Sequence, residues 1–406
     1  MSNDGPILRV GLAGLGVAAA LAVPHLAAHP RVRLTAAADP RRRAREAFAR
    51  QFAAETYESV EALCASPSVD AVYVLTPSHL HAAHSILAAE RGKQVIADKP
   101  MALTLADCDA MIAAAERNGV RLLVGHSQGL DGPIVRMAEI VASGALGRLV
   151  MVNTWFYSDW LYRPRSAEEF DPARGEGLVV RQGPPQVDIV RMLGGGLVRS
   201  VRARTSAVDA ARPGEGSYVA YLEFADGTPA TLVHNAYAHF DSSELTYGIG
   251  ISGQPVDPDA HARARRQIAG FARPEDEGAA KDAGRYGGPR GQGIAPQPGR
   301  HAFFGLTIAS CERGDVRQSP TGLTIYGDDG RREVPLPAGE PGARRYPDTE
   351  IDLMYAAWAH DAPLAAYDGR WGKATLEVCL GILRSAAERR DVAMSHQVPY
   401  RPPAAR

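Results

Sequence analysis

The chain has 406 residues, 45% of them hydrophobic and 22% charged, with a formal net charge of −1. That balance fits a globular protein of two domains and argues against nucleic acid or an acidic membrane surface as partner. The four cysteines (Cys64, Cys108, Cys311, Cys379) form no C-x-x-C pair, so neither a disulfide framework nor a zinc site is expected, and a cytoplasmic location is.

The opening stretch "ILRVGLAGLGVAAAL" is apolar, yet Arg9 and several glycines interrupt it and no basic segment leads it. A strand and a helix are predicted there rather than a signal peptide, and no run reaches the ~20 apolar residues of a membrane span. Up to residue 125, the runs "ILRVGLAG", "VRLTAAAD", "VDAVYVLT", "KQVIADKP" and "VRLLVGH" read as strands, several too apolar to be half-exposed. Helical patterns separate them. The clearest is "TLADCDAMIAAAERNG", with Leu105, Cys108, Met111, Ile112 and Ala115 at helical spacing, Thr104 as N-cap and Gly119 as stop. Such alternation predicts a parallel sheet covered on both faces.

Beyond about residue 148 the pattern changes to alternating and aromatic runs: "GRLVMVNTWFYSDW", "GGLVRSVRARTSAV", "SYVAYLEFADGTPATLVHNAYAHF" and "GLTIYGDDGRREVPL". Asp226-Gly227 and Asp329-Gly330 are hairpin signals. A mostly antiparallel open sheet with a few helices is expected, closed by a helix around "ATLEVCLGILRSAAERR". The fold class is therefore α/β: a parallel-sheet domain at 1–125 and an α+β domain at 126–406. Residues 253–300, rich in Gly, Pro, Arg and Asp, are expected to form a long loop or lid.

The segment Gly14-x-Gly16-Val17-x-Ala19 sits between a predicted strand and a predicted helix. Glycines there permit a tight turn and close approach to a pyrophosphate held at the helix N-terminus. An ordinary βα turn can carry the same residues. The difference here is Asp39, about twenty residues on at the end of the next strand, where a carboxylate can bind a ribose 2′-hydroxyl. Asp39 favours NAD by repelling a 2′-phosphate. Arg41, Arg42 and Arg43 could attract one, so NAD is expected and NADP stays open.

"VDAVYVLTPSHLHAAHSILAAERGKQVIADKPMALT" carries Thr76-Pro77, His81, Gly92-Lys93 and Asp98-Lys99-Pro100. It resembles the Gfo/Idh/MocA oxidoreductases, whose usual motif at the last position is Glu-Lys-Pro. Other stretches resemble the phthalate 4,5-cis-dihydrodiol dehydrogenase branch: "FYSDWLYRPRSAEEFD", "NAYAHFDSSEL", "CERGDVRQSPTGL" and "RYPDTEIDLMYAAWAHDAPLAAYDGRWGKATLEV". The resemblance implies a dinucleotide cofactor contacted by Gly14, Gly16, Val17, Asp39, Thr76, Pro77, His81, Lys99 and Pro100. It also implies an open sheet that forms the substrate cleft, a homo-oligomer (dimer or tetramer), and Lys99 as the proton carrier beside the nicotinamide. A desolvated lysine at the end of a Rossmann strand suits that task. His79, His81 and His84 at spacings of two and three suggest no metal site.

The family commonly has Asp-x-Gly-x-His before the next helix, the Asp and His assisting the lysine. Here the stretch reads Arg181-Gln182-Gly183-Pro184-Pro185. Only Gly183 and the following Asp188 persist, and the prolines suit the start of the helix carrying Val187, Val190 and Leu193. Losing a general acid/base typically costs a factor of roughly 10² to 10⁴. Candidate replacements are His126, Tyr157, Tyr162, Tyr237 and His239, with Tyr237 and His239 expected to share one face of a strand and to act in catalysis. Tyr157, Arg163, Arg181, Gln182 and Asp188 are the expected substrate contacts, Arg163, Arg165 and Arg181 being suited to a carboxylate. The resulting expectation is an NAD(P)-dependent oxidoreductase acting on a hydroxyl or carbonyl of a cyclic, carboxylated substrate. The alternatives are a redox-neutral enzyme that retains its dinucleotide, and a non-catalytic binding protein.

Overall fold

The computed structural model describes residues 5–125, 128–166, 169, 177–260, 262–291, 300–336, 346–364 and 367–401. The first unit runs β1 (Leu8–Ala13), α1 (Val17–Ala28), β2 (Val32–Ala38), α2 (Arg42–Phe52), β3 (Glu55–Tyr57), α3 (Val60–Ala65), β4 (Ala71–Val74), α4 (His81–Glu90), β5 (Gln94–Ala97), α5 (Leu105–Arg117) and β6 (Leu122–Val124). Its six strands are parallel, in the order β3-β2-β1-β4-β5-β6. The strand sequence reverses between β1 and β4, the crevice where such sheets bind dinucleotides.

The apolar strands are explained by burial on both faces. In β4, Tyr73 packs to one side and Val72 and Val74 to the other; in β5, Ile96 and Val95 divide likewise. Helix α5 starts where Thr104 accepts the N–H of Asp107, and Gly119 takes φ +62 just past its end, as the pattern predicts.

The second unit continues with α6 (Gly132–Ala142), β7 (Leu149–Tyr157), α7 (Leu178–Leu193), β8 (Val198–Ser206), β9 (Ser217–Phe224), β10 (Pro229–Asn235), α8 (Arg263–Ala269) and α9 (Pro274–Asp282). Then come β11 (Leu306–Cys311), β12 (Gly314–Ser319), β13 (Gly322–Gly327), β14 (Gly330–Pro335), α10 (Tyr346–His360), α11 (Gly369–Glu388) and β15 (Val392–Ala393). The nine strands order as β14-β13-β12-β11-β7-β10-β9-β8-β15, antiparallel except for β7 beside β10. Gly227 and Gly330, both at positive φ, turn the two predicted hairpins.

One face of this sheet is covered by α6, α7 and α11, with Val152, Leu222, Leu232 and Ala230 facing inward. On the other face, Trp155, Val233 and Val219 lie opposite one another in adjacent strands, and Tyr221 follows one step along; Trp155, Val219 and Tyr221 are exposed.

Three expectations are corrected. Helix α7 begins at Leu178, so Pro184 and Pro185 lie inside it rather than at its start. Strand β10 ends at Asn235, so Tyr237 and His239 follow it instead of sharing its face. Residues 253–300 are not simply a loop: α8 and α9 form within them, α9 helped by a proline and three acids in its first turn. Residues 292–299 lie outside the described residues. From this segment Tyr286 reaches the first unit, its N–H donating to the Gly16 carbonyl (3.3 Å) and its hydroxyl to Gln51 (2.6 Å). The second unit also returns to the first. Helix α10 packs Ile351, Met354 and Ala357 onto the first unit's core, tied by His25–Asp348 (2.9 Å) and Tyr73–Glu350 (3.1 Å).

Candidate active site

The nucleotide loop connects β1 to α1. Gly14 takes φ +97, and a Cβ there would come within 2.8 Å of the Leu75 carbonyl oxygen. A Cβ on Gly16 would meet open space, and no side chain caps α1, so its first N–H groups are available to an anion. Val17 is exposed at that end. The buried Asp39 carboxylate accepts the N–H of Leu15 (2.8 Å) and is gripped by Arg41, whose guanidinium also reaches the Leu15 carbonyl (2.6 Å). These residues fit a dinucleotide: an open glycine turn, a free helix N-terminus and a carboxylate fixed at the ribose position.

At the ends of β4 and β5, His81 is buried, with one ring nitrogen 2.7 Å from the Pro100 carbonyl oxygen and the other 2.7 Å from that of Thr76. It therefore fastens the two loops that carry Thr76-Pro77 and Lys99-Pro100 and has no ring nitrogen left for a ligand. Thr76 is further held by His84 (3.0 Å).

Lys99 follows β5, its backbone N–H donating to Asp98 Oδ1 (2.8 Å). Its Nζ donates to the backbone carbonyl of Arg181 in α7 (2.6 Å). Burial pulls the amine down to about 8, against the opposing charge of Asp98 and with help from the Arg181 cation. Lys99, Pro100 and Gly125 from the first unit and Pro184, Asp188 and Trp371 from the second line one small cleft. This is where the two units meet chemically.

Among the expected substrate contacts, the Arg181 guanidinium binds Glu169 (2.9 Å), which also pairs with Lys281 of α9. Among the described residues, Glu169 is one anion that this arginine meets. Asp188 is buried and accepts from Trp371 Nε1 (3.1 Å) and Thr375, joining α7 to α11. Gln182 is half-buried on the turn after Arg181. Tyr157 stacks edge-on against Phe240 (5.8 Å), and Arg163 is exposed beyond the turn at Trp160–Tyr162. The Tyr237 hydroxyl accepts the N–H of Val208 (3.1 Å), and His239 is exposed; neither is joined to Lys99. His126 lies outside the described residues. Among the described residues no group of three or more His, Cys, Asp or Glu could hold a metal ion.

One residue was missed. His234 lies fully inside, between Phe156 (4.8 Å), Tyr218 (5.6 Å) and Phe304 (6.1 Å). Neither ring nitrogen has a partner among the described residues. Burial, and then the charge of Lys99, push the ring down to about 3, so it stays neutral. Beside it, Gln186 accepts from Tyr218 (2.6 Å) and donates to the Val233 carbonyl (3.2 Å). The alternation Ala230, Leu232, His234 in "PATLVHN" places this histidine on the inward face and was the available signal.

Residues 8–126 match the family described as "Oxidoreductase family, NAD-binding Rossmann fold", and residues 134–253 match its C-terminal domain. A Comamonas testosteroni protein named 1-carboxy-3-chloro-3,4-dihydroxycyclohexa-1,5-diene dehydrogenase is 33% identical over 93% of this chain and 94% of its own length. The chain belongs to the Gfo/Idh/MocA oxidoreductases. As a member, it is an NAD(P)-dependent dehydrogenase whose first unit is the family's NAD-binding domain. The solved structure of a presumptive dehydrogenase from Bordetella bronchiseptica RB50 superposes with TM-score 0.89 at 36% identity, covering 96% of this chain and 100% of the other. An Agrobacterium radiobacter oxidoreductase, solved with NAD+, L-tartaric acid and magnesium, shares the fold (TM-score 0.69, 18% identity, 95% of this chain and 98% of that one). Among the described residues, no helix of this Gfo/Idh/MocA oxidoreductase is long and apolar enough to cross a membrane.

Proposed function

We propose that the chain oxidises a ring hydroxyl of a carboxylated cyclohexadiene diol, the phthalate-dihydrodiol type of substrate. The likeness to a dehydrogenase of a carboxylated cyclohexadiene diol along nearly the whole chain carries this reading, and the environment of Lys99 supports it. In the oxidation the hydroxyl O–H and the carbinol C–H are lost and C=O forms. The bound nicotinamide supplies the hydride acceptor. Lys99, neutral above about pH 8, takes the hydroxyl proton at Nζ. Gly14, Gly16 and the α1 N-terminus would hold the pyrophosphate, and Asp39 the adenosine ribose, which favours NAD over NADP. Arg163, beyond the turn at Trp160–Tyr162, is assigned to the substrate carboxylate, and Arg181 joins it if Glu169 is displaced. The buried free cysteines Cys64, Cys108, Cys311 and Cys379 accord with a reducing cytoplasm. The apolar outer face at Trp155, Val219 and Tyr221 is assigned to association between copies of the chain.

The test is incubation with NAD+ or NADP+ and a panel of cyclohexadiene cis-diols, with and without a carboxylate, followed at the reduced-nicotinamide absorbance band. Turnover confined to carboxylated diols is expected. Nucleotide binding without reduction on any diol would overturn the substrate assignment. A redox-neutral reaction remains the second reading because Arg181 and Pro185 replace the usual Asp and His. It predicts product formation with no net change at that band.

A further inference from the structure

A helix carbonyl normally accepts the N–H four residues ahead. Pro184 and Pro185 lie inside α7 and have no N–H to give, so the carbonyls of Val180 and Arg181 are released from the helix ladder. A proline ring also presses against the carbonyl four residues back and tilts it off the helix axis. For Pro185 that carbonyl is Arg181, the acceptor of the Lys99 Nζ–H at 2.6 Å.

We infer that Pro185 is a positioning residue: by releasing the Arg181 carbonyl from α7, it supplies the backbone acceptor that fixes Lys99. This rests on the reading of Lys99 as proton carrier. Donating one N–H to that carbonyl stops rotation about the Cε–Nζ bond. The lone pair of the neutral amine is then held in one direction, ready for the hydroxyl proton. When the proton arrives, the same carbonyl stabilises the ammonium, because a hydrogen bond to the charged form favours it. Where relatives of the family use a histidine beside the lysine, this chain uses the main chain.

The chain has only four lysines, Lys93, Lys99, Lys281 and Lys373, so each can be followed separately. The experiment measures the pH dependence of acetylation at each lysine by mass spectrometry, in the full chain and in Pro185→Ala and Pro184→Ala. Pro185→Ala returns the N–H that closes on Arg181. Pro184→Ala returns one that closes on Val180 and leaves the Lys99 acceptor alone. The Lys99 midpoint is expected to fall by about one pH unit in Pro185→Ala, the size of one charge-assisted hydrogen bond. It is expected to stay in place in Pro184→Ala, as are the other three lysines in both variants. An unchanged or raised midpoint in Pro185→Ala, or an equal fall in Pro184→Ala, overturns the inference. Alanine is the better helix former, so both variants fold. Labelling needs no substrate, so failure here is distinguishable from failure of the diol assignment. Where turnover is measured, the inflection of kcat should move with the Lys99 midpoint while KM changes less.

Discussion

The nucleotide loop and the middle turn of α7 are both glycine-containing stretches, and they are built on opposite plans. At the loop, Gly14, Gly16 and Asp39 act through local backbone geometry and one carboxylate at the end of the neighbouring strand. At α7 nothing local is informative: Arg181, Pro184, Pro185 and Asp188 acquire meaning from Lys99 on one side and Trp371 and Thr375 on the other. A site that serves a cofactor common to a family can be written in short sequence. A site that serves a particular substrate is assembled from elements far apart in the chain, and changes in one element are answered in another.

The sharpest way to break the comparison is Lys99→Met. It should lower turnover by roughly 10² to 10⁴ while NAD binding, followed by nucleotide fluorescence, persists. Full turnover in that variant would remove Lys99 from the chemistry and leave the α7 turn without a function. Gly14→Ala should act on the other region alone. Its Cβ would meet the Leu75 carbonyl at a positive φ, strain of about 1–3 kcal/mol, so NAD affinity is expected to drop about tenfold or more while the Lys99 midpoint stays put.

The pH dependence of diol oxidation is next in size. In the proposed role Lys99 acts as the neutral base, and burial has lowered it to about 8. The rate should therefore climb about tenfold per pH unit below 8 and level off above it. A profile flat from pH 6 to 9 would contradict this. The smallest effect concerns stability. Because His234 is pushed from its ordinary value to about 3 in the fold, the unfolded chain takes up its proton first. The native state loses stability as pH falls from about 6.5 toward 3. His234→Phe should shrink the fall in Tm across that window and leave Tm at pH 7 equal or higher. An unchanged acid limb would show that the ring is not held neutral.

Much of the fold was legible because its signals are short-ranged. Five strands of the first unit read as strands since burial on both faces demands continuous apolar runs, whereas β3 is short and not buried; Gly119, Gly227 and Gly330 mark turns by backbone requirements, and Thr104 marks a helix start by its side-chain cap. Strands β11 and β12 are not legible in the same way, their hydrophobicity being diluted by Ser310, Asp315, Arg317 and Gln318. Helices α8 and α9 were hidden by a composition rich in Gly, Pro and Arg, and they are held by tertiary ion pairs such as Arg212–Glu277 at 2.6 Å.

In the candidate site, the sequence by itself determined the glycine turn after β1, Asp39 at the end of β2 and Lys99 after β5, since each place is specified by the residues immediately around it. It also determined that the usual Asp and His are absent. Only the tertiary structure decided what stands in their place. Whether a proline starts a helix or interrupts one depends on residues 178–183 folding ahead of it, and whether a released carbonyl matters depends on a lysine 82 residues earlier in the chain. Packing chose His234 over His239 in the same way. A one-residue step in parity after β10 separates a caged inward ring from an exposed one, because strand alternation ends where the strand does.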